Sequence, residues 1–337
     1  MSAMSATIVY FVTGSVNKDG SYYFPPFMRS QIEAMEKEYH KVEVAILLNN
    51  SSPLAVMQNI REWKKKIKAM GNCILHAQYG SVTALTAALS KGNNPLVISF
   101  CGDDMLGTKQ TGWKWAIRSR LMVAISHLST LWADHLIAKS KNIYDRMFSF
   151  QQKMCDIIPN GVNLDTFIPV AQNEARRQLN WSANDFIVLF NPSSGNNAYV
   201  KNKPLADEAI TLLQQQLPQT KLTLIENKTY TEINLMMHAA DALLVTSLHE
   251  GSPNIVKEAM ACNLPVVTVN CGDVRERLNK VSNSYVTTDY SATELATALL
   301  QVHHKGQRSD GREQLLTQQI DNAAVIQKIK NIYNRLS

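Results

Sequence analysis

The sequence predicts an α/β protein built from two doubly wound domains. Short apolar runs alternate with longer segments whose apolar residues recur every three or four positions, which is typical of parallel sheets covered by helices on both faces. The alternation stops at the turn signal Pro159-Asn160-Gly161 and resumes at Phe186. Ligands bind such sheets outside the carboxyl ends of the strands, so two domains facing each other would form a central cleft.

The N-terminal domain is expected to span residues 1–163. Its predicted strands are Thr7–Val12, Val42–Leu47, Cys73–Leu75, Leu96–Ser99, His135–Ala138 and Asp156–Ile158, and two of its predicted helices are Phe27–Glu38 and Leu54–Met70. The C-terminal domain is expected to span residues 164–317. Its predicted strands are Phe186–Asn191, Leu222–Ile225, Ala242–Thr246 and Pro265–Val269, and its predicted helices are Lys203–Gln216, Thr231–Ala239, Pro253–Cys262 and Ala292–His303. The last helix could pack on either domain, and the interpretation adopted is that residues 318–337 pack back on the N-terminal one.

Composition narrows the class of protein. The chain has 337 residues and no run of about 18 apolar residues that would span a membrane, and its N-terminus does not resemble a signal peptide. The five cysteines are odd in number and form no CxxC, which argues against a disulfide framework or a zinc site and fits a reducing cytoplasm. A net charge of +6 suits an anionic small ligand or surface but is too weak and dispersed for nucleic acid.

The most informative stretch follows the predicted strand Ala242–Thr246 and opens a helix. Ser252 is expected to be the N-cap and Pro253 the first helical residue. Gly251 would let the backbone approach a ligand without an intervening side chain. Together with the helix dipole, the N–H groups of Gly251, Ser252 and Asn254 would form an anion site that fits a diphosphate.

Glu250 lies just before this helix and Glu258 lies inside it, so both side chains could point to one ligand. A carboxylate accepts hydrogen bonds from two hydroxyls, which suits a ribose diol or a sugar ring. The alternative is a helix that is merely stabilised by acidic residues near its start. Spacing alone supports the two interpretations equally.

The spacing from Glu250 to Glu258 resembles the E-x7-E motif of retaining glycosyltransferases with the GT-B fold, especially glycosyltransferase family 4 (glycosyl transferases group 1). The segments His249–Pro253 and Ile158–Asn163, with Phe167 and Pro169, are also similar to that family. The resemblance implies that Glu258 holds the ribose of the donor and that Glu250 contacts the transferred sugar and takes part in catalysis.

Lys201 resembles the family lysine that neutralises the donor diphosphate. The alternative is a solvated lysine on a loop, without a role in binding. The family usually has an arginine about five residues earlier, and this chain has none there. Asn196 or Asn197 could donate hydrogen bonds instead, and Lys203 is the nearest other cation. Gly14 lies where the family has a glycine-containing loop near the donor phosphates, but a plain loop is equally consistent.

Two residues mark the predicted acceptor side. Asp104 belongs to Phe100–Asp104, which resembles the family's Gly-x-Asp segment, with Cys101 where many members have histidine. His76 is expected at a strand end facing the cleft, where it would contact the acceptor or act in catalysis; a structural role is the alternative. Two basic segments with tryptophans, Trp63–Lys68 and Trp113–Arg120, could rest on an anionic membrane face or be solvated helix faces.

The resemblance implies an enzyme of the hexosyltransferase type. It would move a sugar from a nucleoside-diphosphate sugar (UDP or GDP, undetermined) to a sugar or lipid-linked acceptor in polysaccharide or glycolipid synthesis, without a cofactor or metal. It would work in the cytoplasm or at the inner membrane face, with weak peripheral membrane association and no nucleic acid partner. The alternatives are a nucleotide-sugar epimerase and a non-catalytic sugar-nucleotide-binding protein. A dinucleotide oxidoreductase is disfavoured because no Gly-x-Gly-x-x-Gly follows a predicted strand.

Overall fold

A computed structural model of the chain describes residues 6–16, 22–39, 41–48, 52–108, 112–192 and 198–337. The chain divides into two compact units. The N-terminal unit comprises Met1–Gly161 together with Asn322–Ser337, and the C-terminal unit comprises Val162–Asp321. The boundary therefore lies two residues before the one expected, and the terminal helix belongs to the first unit.

The N-terminal unit is built on a six-stranded sheet in the order β4-β1-β5-β6-β7-β8, in which every neighbouring pair is parallel. A short antiparallel pair, β2 with β3, stands apart from it. The strands are β1 (Thr7–Thr13), β2 (Ser15–Val16), β3 (Tyr22–Tyr23), β4 (Val42–Leu47), β5 (Cys73–Ala77), β6 (Leu96–Phe100), β7 (His135–Ala138) and β8 (Cys155–Ile157).

Helices cover both faces of this sheet. They are α1 (Pro26–Glu36), α2 (Pro53–Met70), α3 (Ser81–Ser90), α4 (Asp103–Leu106), α5 (Trp113–Ser129), α6 (Lys141–Tyr144) and α7 (Ser149–Gln152). Helix α3 was not predicted. Its sequence, SVTALTAALS, is buried over most of its length, so it lacks the polar face that makes a helix visible in a sequence.

The C-terminal unit contains a five-stranded parallel sheet in the order β10-β9-β11-β12-β13. Its strands are β9 (Phe186–Phe190), β10 (Thr220–Leu224), β11 (Ala242–Val245), β12 (Val266–Thr268) and β13 (Tyr285–Val286). Its helices are α8 (Gln172–Leu179), α9 (Ala198–Lys201), α10 (Lys203–Gln214), α11 (Tyr230–Ala239), α12 (Asn254–Ala261), α13 (Val274–Leu278), α14 (Ala292–Lys305) and α15 (Gly311–Thr317). One continuous hydrophobic core packs these elements together.

The terminal helix α16 (Asn322–Leu336) packs against α1 in the N-terminal unit. It contributes Ile329 and Tyr333, both fully buried, to the cluster that also contains Tyr10 and Ile74. Alternate residues of each strand face this cluster, and the others face a second cluster around Trp63 and α3. The predicted α/β fold with parallel sheets is confirmed, because every neighbouring pair of strands in the two large sheets is parallel.

Strand order reverses once in each unit. In the N-terminal sheet the chain winds outward from β1 to β4 and then from β5 to β8 on the other side. In the C-terminal sheet β10 lies on one side of β9, and β11, β12 and β13 lie on the other. The carboxyl ends of β9 and β11, and those of β1 and β5, therefore flank a topological switch point, the usual ligand position in such sheets. Within the described part of the chain, no helix is both long and apolar enough to cross a bilayer.

Candidate functional site

Lys201 is held in place by the chain that leaves β11. The Thr246 hydroxyl donates to the carbonyl oxygens of Lys201 and Asn202 at 2.8 and 3.0 Å, and the Leu248 N–H donates to the Val200 carbonyl at 2.8 Å. These bonds satisfy carbonyls at the end of α9, a helix too short to satisfy them itself. They dock Lys201 beside the loop that carries Glu250.

Lys201 and Glu250 form an ion pair. Lys201 Nζ lies 2.6 Å from Glu250 Oε1, and each side chain is 18% exposed. The two residues follow β9 and β11 respectively, the strands that flank the switch point. A charge pair that is mostly but not fully buried can be reached by a ligand, and an incoming phosphate would compete with Glu250 for the ammonium.

The start of α12 differs from the prediction. The helix begins at Asn254, and Pro253 is the N-cap position without a side-chain cap. Ser252 is not the N-cap, because its hydroxyl donates to Asp273 Oδ2 at 2.9 Å and accepts from Lys257 Nζ at 3.2 Å. Because its hydroxyl proton is already donated to Asp273, Ser252 can donate to a ligand only through its backbone N–H.

The backbone before α12 nevertheless keeps the character of an anion site. Among the residues that the structure describes, the N–H groups of Gly251 and Ser252 have no hydrogen-bond partner. They lie at the positive end of the helix dipole. The fully buried Lys257 adds a positive charge behind Ser252. This segment can therefore receive negative charge through backbone donors.

Three further residues build this site, although no local sequence pattern marks them as part of it. Asp273 is buried and anchors Ser252, and Arg277 Nε in turn binds Asp273 Oδ2 at 3.0 Å. Gly272, at φ +60°, packs against the loop so closely that an added Cβ would lie 2.8 Å from the Gly251 oxygen and 3.1 Å from Glu250 Cβ. The i,i+4 spacing of Asp273 and Arg277 could have indicated their pairing, but not its target.

Glu258 lies one turn into α12 with its side chain partly buried. Burial raises the pKa of Glu258 to about 7, and the neighbouring charge of Lys257 counteracts part of this rise. Its carboxylate has no hydrogen-bond or ion-pair partner in the described ranges of the chain. A carboxylate that is partly removed from water without a partner carries an unfavourable desolvation free energy, which a ligand that donates hydrogen bonds would relieve.

Other predicted donor residues have different outcomes. Asn196 and Asn197 lie outside the described residues. Lys203 is the suggested substitute for the missing arginine. Its Nζ lies 2.7 Å from Asp207 Oδ1 on an exposed turn of α10, so it forms a local ion pair instead. At Gly14, an added Cβ would lie 2.5 Å from Ile46 Cγ2 and 2.8 Å from the Tyr23 oxygen. Packing therefore requires glycine there, whatever its role toward phosphate.

His76 requires a correction. It lies inside the N-terminal unit with no exposed surface, its Nδ1 bonded to the Tyr333 hydroxyl and its Nε2 2.8 Å from Ser99 Oγ. Burial, together with the positive charges of Lys139 and His135, holds the pKa of His76 well below its usual range. With both ring nitrogens engaged by the core, the imidazole does not face a ligand, and the structural alternative describes it.

Asp104 also differs from its predicted place at an acceptor surface. Its fully buried carboxylate accepts from the N–H groups of Gly80 at 2.7 Å, Gly102 at 2.8 Å and Cys101 at 3.1 Å. Burial raises the pKa of Asp104 to about 6 against these hydrogen bonds. Asp104 therefore ties together the loops that follow β5 and β6, and it shapes that edge of the sheet without an exposed atom. No cluster of three potential metal-binding His, Cys, Asp or Glu side chains occurs within the described ranges.

Sequence comparison matches residues 173–323, a little under half of the chain, to the family model described as "Glycosyl transferases group 1". The matched segment contains Lys201, Glu250, Gly251, Ser252 and Glu258. A search of curated protein sequences finds no match.

Solved structures are similar over nearly the whole chain. Sucrose-phosphate synthase from Thermosynechococcus elongatus is 16% identical with a TM-score of 0.77, covering 98% of this chain and 99% of that one. HepE of Anabaena in complex with UDP-glucose is 17% identical with a TM-score of 0.71, covering 98% and 100%. The α,α-trehalose 6-phosphate synthase from Burkholderia multivorans is 10% identical with a TM-score of 0.64, covering 98% and 97%. The chain thus has the fold of the GT-B glycosyltransferases, and its residues 173–323 match the group 1 glycosyl transferase family.

Proposed function

We propose that this protein is a retaining glycosyltransferase that moves a sugar from a nucleoside-diphosphate sugar to a hydroxyl of an acceptor. The observation that carries the proposal is the unpartnered Glu258 carboxylate on α12, the helix that follows the loop of the Lys201–Glu250 pair. The match of residues 173–323 to a glycosyl transferase family supports the same reaction.

Each charged group has a distinct part in donor binding. The Glu258 carboxylate accepts hydrogen bonds from the two ribose hydroxyls, which supplies the partners it lacks. Lys201 leaves Glu250 for the diphosphate, assisted by the backbone N–H groups of Gly251 and Ser252. Glu250, released from the lysine, accepts a hydroxyl of the transferred sugar. The pair therefore exchanges one internal ion pair for two contacts to the ligand.

In the reaction the bond between the anomeric carbon and the diphosphate oxygen breaks, and a bond from that carbon to the acceptor oxygen forms on the same face. The acceptor proton passes to the leaving diphosphate, which serves as the base. Negative charge on the diphosphate grows during this step, and Lys201 and the two N–H groups are positioned to stabilise it. The protein supplies no nucleophile, cofactor or metal in this scheme.

The donor test starts with UDP-glucose, because HepE was solved with that compound, and continues with the GDP sugars. A thermal-shift panel identifies the nucleotide, since a ligand that binds the folded state raises its stability. Product analysis with and without acceptor sugars then tests the reaction. Acceptor-dependent release of nucleoside diphosphate with a new glycoside of retained configuration is expected. An epimerised sugar formed from donor alone would establish the epimerase, and binding without turnover would establish the non-catalytic alternative.

The acceptor is proposed to be a sugar or a lipid-linked sugar in polysaccharide or glycolipid synthesis at the inner face of the membrane. One face of α5 supports this location. It exposes an apolar stripe at helical spacing that continues past the helix end, consisting of Trp113, Ile117, Leu121, Leu128 and Leu131, with exposures of 46 to 70%. Lys114, Arg118 and Arg120 flank the stripe. An exposed apolar stripe of this kind marks an interaction surface, and the cations beside it would attract an anionic membrane face.

The second basic segment is different, because Trp63 is only 7% exposed and packs on Phe11 in the core. Its lysines therefore form a solvated helix face. Co-sedimentation with vesicles that contain about 30% anionic lipid compares the wild type with Ile117→Glu and with a control variant, Leu316→Glu. Leu316 lies in the C-terminal unit and is 49% exposed. Binding lost only in Ile117→Glu is expected. Equal binding of all three proteins would contradict the proposal.

A further inference from the structure

Three adjacent strands of the N-terminal sheet end in polar residues. Gln78 directly follows β5, Cys101 follows β6 and Lys139 follows β7, and these strands are neighbours in the sheet. Side chains alternate between the two faces of a strand. His76, Ser99 and Ile137, two residues earlier on each strand, share one face, so the alternation carries Gln78, Cys101 and Lys139 to that same face.

Two of these side chains are buried without partners. Gln78 has no exposed surface, and neither its side-chain oxygen nor its nitrogen forms a hydrogen bond within the described ranges. Lys139 is 1% exposed, and its Nζ likewise has no hydrogen bond or carboxylate partner there. Buried polar groups are nearly always paired, and an unpaired buried charge is more costly still.

The polar residues two positions earlier on these strands, in contrast, have hydrogen-bond partners in the core. His76 and Ser99 bond to each other, and the second ring nitrogen of His76 bonds to Tyr333. Asp104, the carboxylate whose charge acts on Lys139, already accepts hydrogen bonds from three backbone N–H groups. On these three strands, the buried side chains that lack partners among the described residues lie at the carboxyl edge, where ligands of parallel sheets bind.

We propose that Lys139 and Gln78 form an anion-binding subsite in the N-terminal unit, which takes a phosphate or carboxylate group of the acceptor. The Lys139 ammonium donates to the anionic oxygens, and the Gln78 amide donates one bond more while its oxygen accepts from a sugar hydroxyl. The assignment to the acceptor rests on the proposed function, whereas anion binding does not.

The first test measures the binding of inorganic phosphate to the full chain. Binding is detected as a rise in the thermal unfolding temperature at constant ionic strength. Lys139→Met is compared with Lys141→Met, a control lysine whose side chain is 66% exposed and paired with Asp145. The wild type and Lys141→Met should show a saturable rise in Tm. Lys139→Met should bind phosphate at least about tenfold more weakly, since a charge-assisted hydrogen bond is lost. Equal binding by all three proteins would overturn the subsite.

Two further variants exclude other origins of the signal. Lys201→Met removes the cation of the donor site and should leave the response to phosphate through Lys139 in place; loss in Lys201→Met alone would assign the phosphate to the donor site and overturn the proposal. Without phosphate, Lys139→Met should unfold at the same temperature as the wild type or higher, because replacing an unpaired buried charge by an apolar group is neutral or stabilising. A marked fall in Tm would show a structural role instead.

The chemical source of the anion is resolved by comparing acetate, inorganic phosphate and glucose 6-phosphate with glucose. A stronger response to glucose 6-phosphate than to glucose, lost in Lys139→Met and in Gln78→Leu, assigns a phosphorylated sugar. A response to acetate alone assigns a carboxylate. Binding of UDP-glucose is measured in parallel. If the anion response persists and no nucleotide sugar binds, the proposed function fails and the subsite stands; if UDP-glucose binds and no anion does, the subsite fails alone.

Discussion

Replacing Glu258 with glutamine tests the donor site through its pH dependence. Burial raises the pKa of Glu258 to about 7, so the carboxylate gains its charge across the neutral range. Hydrogen bonds from two ribose hydroxyls favour the ionised form. With this pKa, the ionised fraction rises about tenfold between pH 6 and pH 8, and the affinity for the donor should rise by about the same factor.

Isothermal titration with UDP-glucose at pH 6, 7 and 8 measures this dependence. The diphosphate of UDP-glucose has no ionisable group that titrates near neutral pH, so the slope reports on the protein. In Glu258→Gln the slope should disappear, and affinity at pH 8 should fall by about tenfold or more with the loss of charge-assisted bonds. An equal slope in both proteins, or unchanged affinity at pH 8, would refute the assignment of Glu258 to the ribose.

The same pKa predicts a cost in stability. Because the pKa of Glu258 rises from 4.5 to about 7 on folding, its favourable contribution is fully present below pH 4.5 and is lost as the pH rises through 7. The resulting loss in the free energy of unfolding between pH 4 and pH 8 has an upper limit of about 3 kcal/mol. The actual loss is smaller because the side chain is only partly buried. Urea unfolding should therefore find Glu258→Gln more stable than the wild type at pH 8 and similar at pH 4. Equal stability at both pH values would contradict the burial argument.

The remaining predictions concern three positions. Lys201→Met should lower turnover by about 100-fold through loss of charge stabilisation on the leaving diphosphate, whereas the control Lys203→Met should keep normal rates; near-equal rates in steady-state assays would remove Lys201 from the mechanism. Gly272→Ala combines an unfavourable φ with a steric contact, whereas Gly92→Ala has the same φ of +60° and no atom within 4 Å, so urea unfolding should show a larger loss for Gly272→Ala, and equal losses would exclude the contact. The lowered pKa of His76 makes its favourable contribution to stability present above pH 6.5 and lost on acidification. His76→Gln should therefore flatten the acid limb of the stability curve without changing turnover, and a collapse of turnover in a folded variant would restore His76 to catalysis.

The fold class could be predicted because most strands and long helices carry a local period, whereas the buried helix α3 and the two-residue strands β2, β3 and β13 do not. Strands β4 and β7 were predicted with the bounds that the structure shows, and most other strands differ by one or two residues at an end. The approach of Lys201 to Glu250 also follows from local information, since each residue comes after a strand that flanks the switch point. Parallel topology brings such positions together.

What the sequence could not supply was the pairing of side chains that are distant along the chain. Ser252 reads as a helix cap, but its hydroxyl is taken by Asp273, 21 residues later. His76 reads as a residue at a strand end, but Tyr333, 257 residues later, covers it through the terminal helix. Each prediction rested on a local pattern, and each was overturned by a tertiary contact that no local pattern encodes.

A crystal structure of the full chain with the nucleoside diphosphate or nucleotide sugar that binds best would test the central claim most directly. Both ribose hydroxyls should lie within about 3.2 Å of the Glu258 carboxylate oxygens. The diphosphate should contact Lys201 Nζ and the N–H groups of Gly251 and Ser252, with the Lys201–Glu250 ion pair opened. A nucleotide bound elsewhere, or bound here with Glu258 still without a partner, would contradict it.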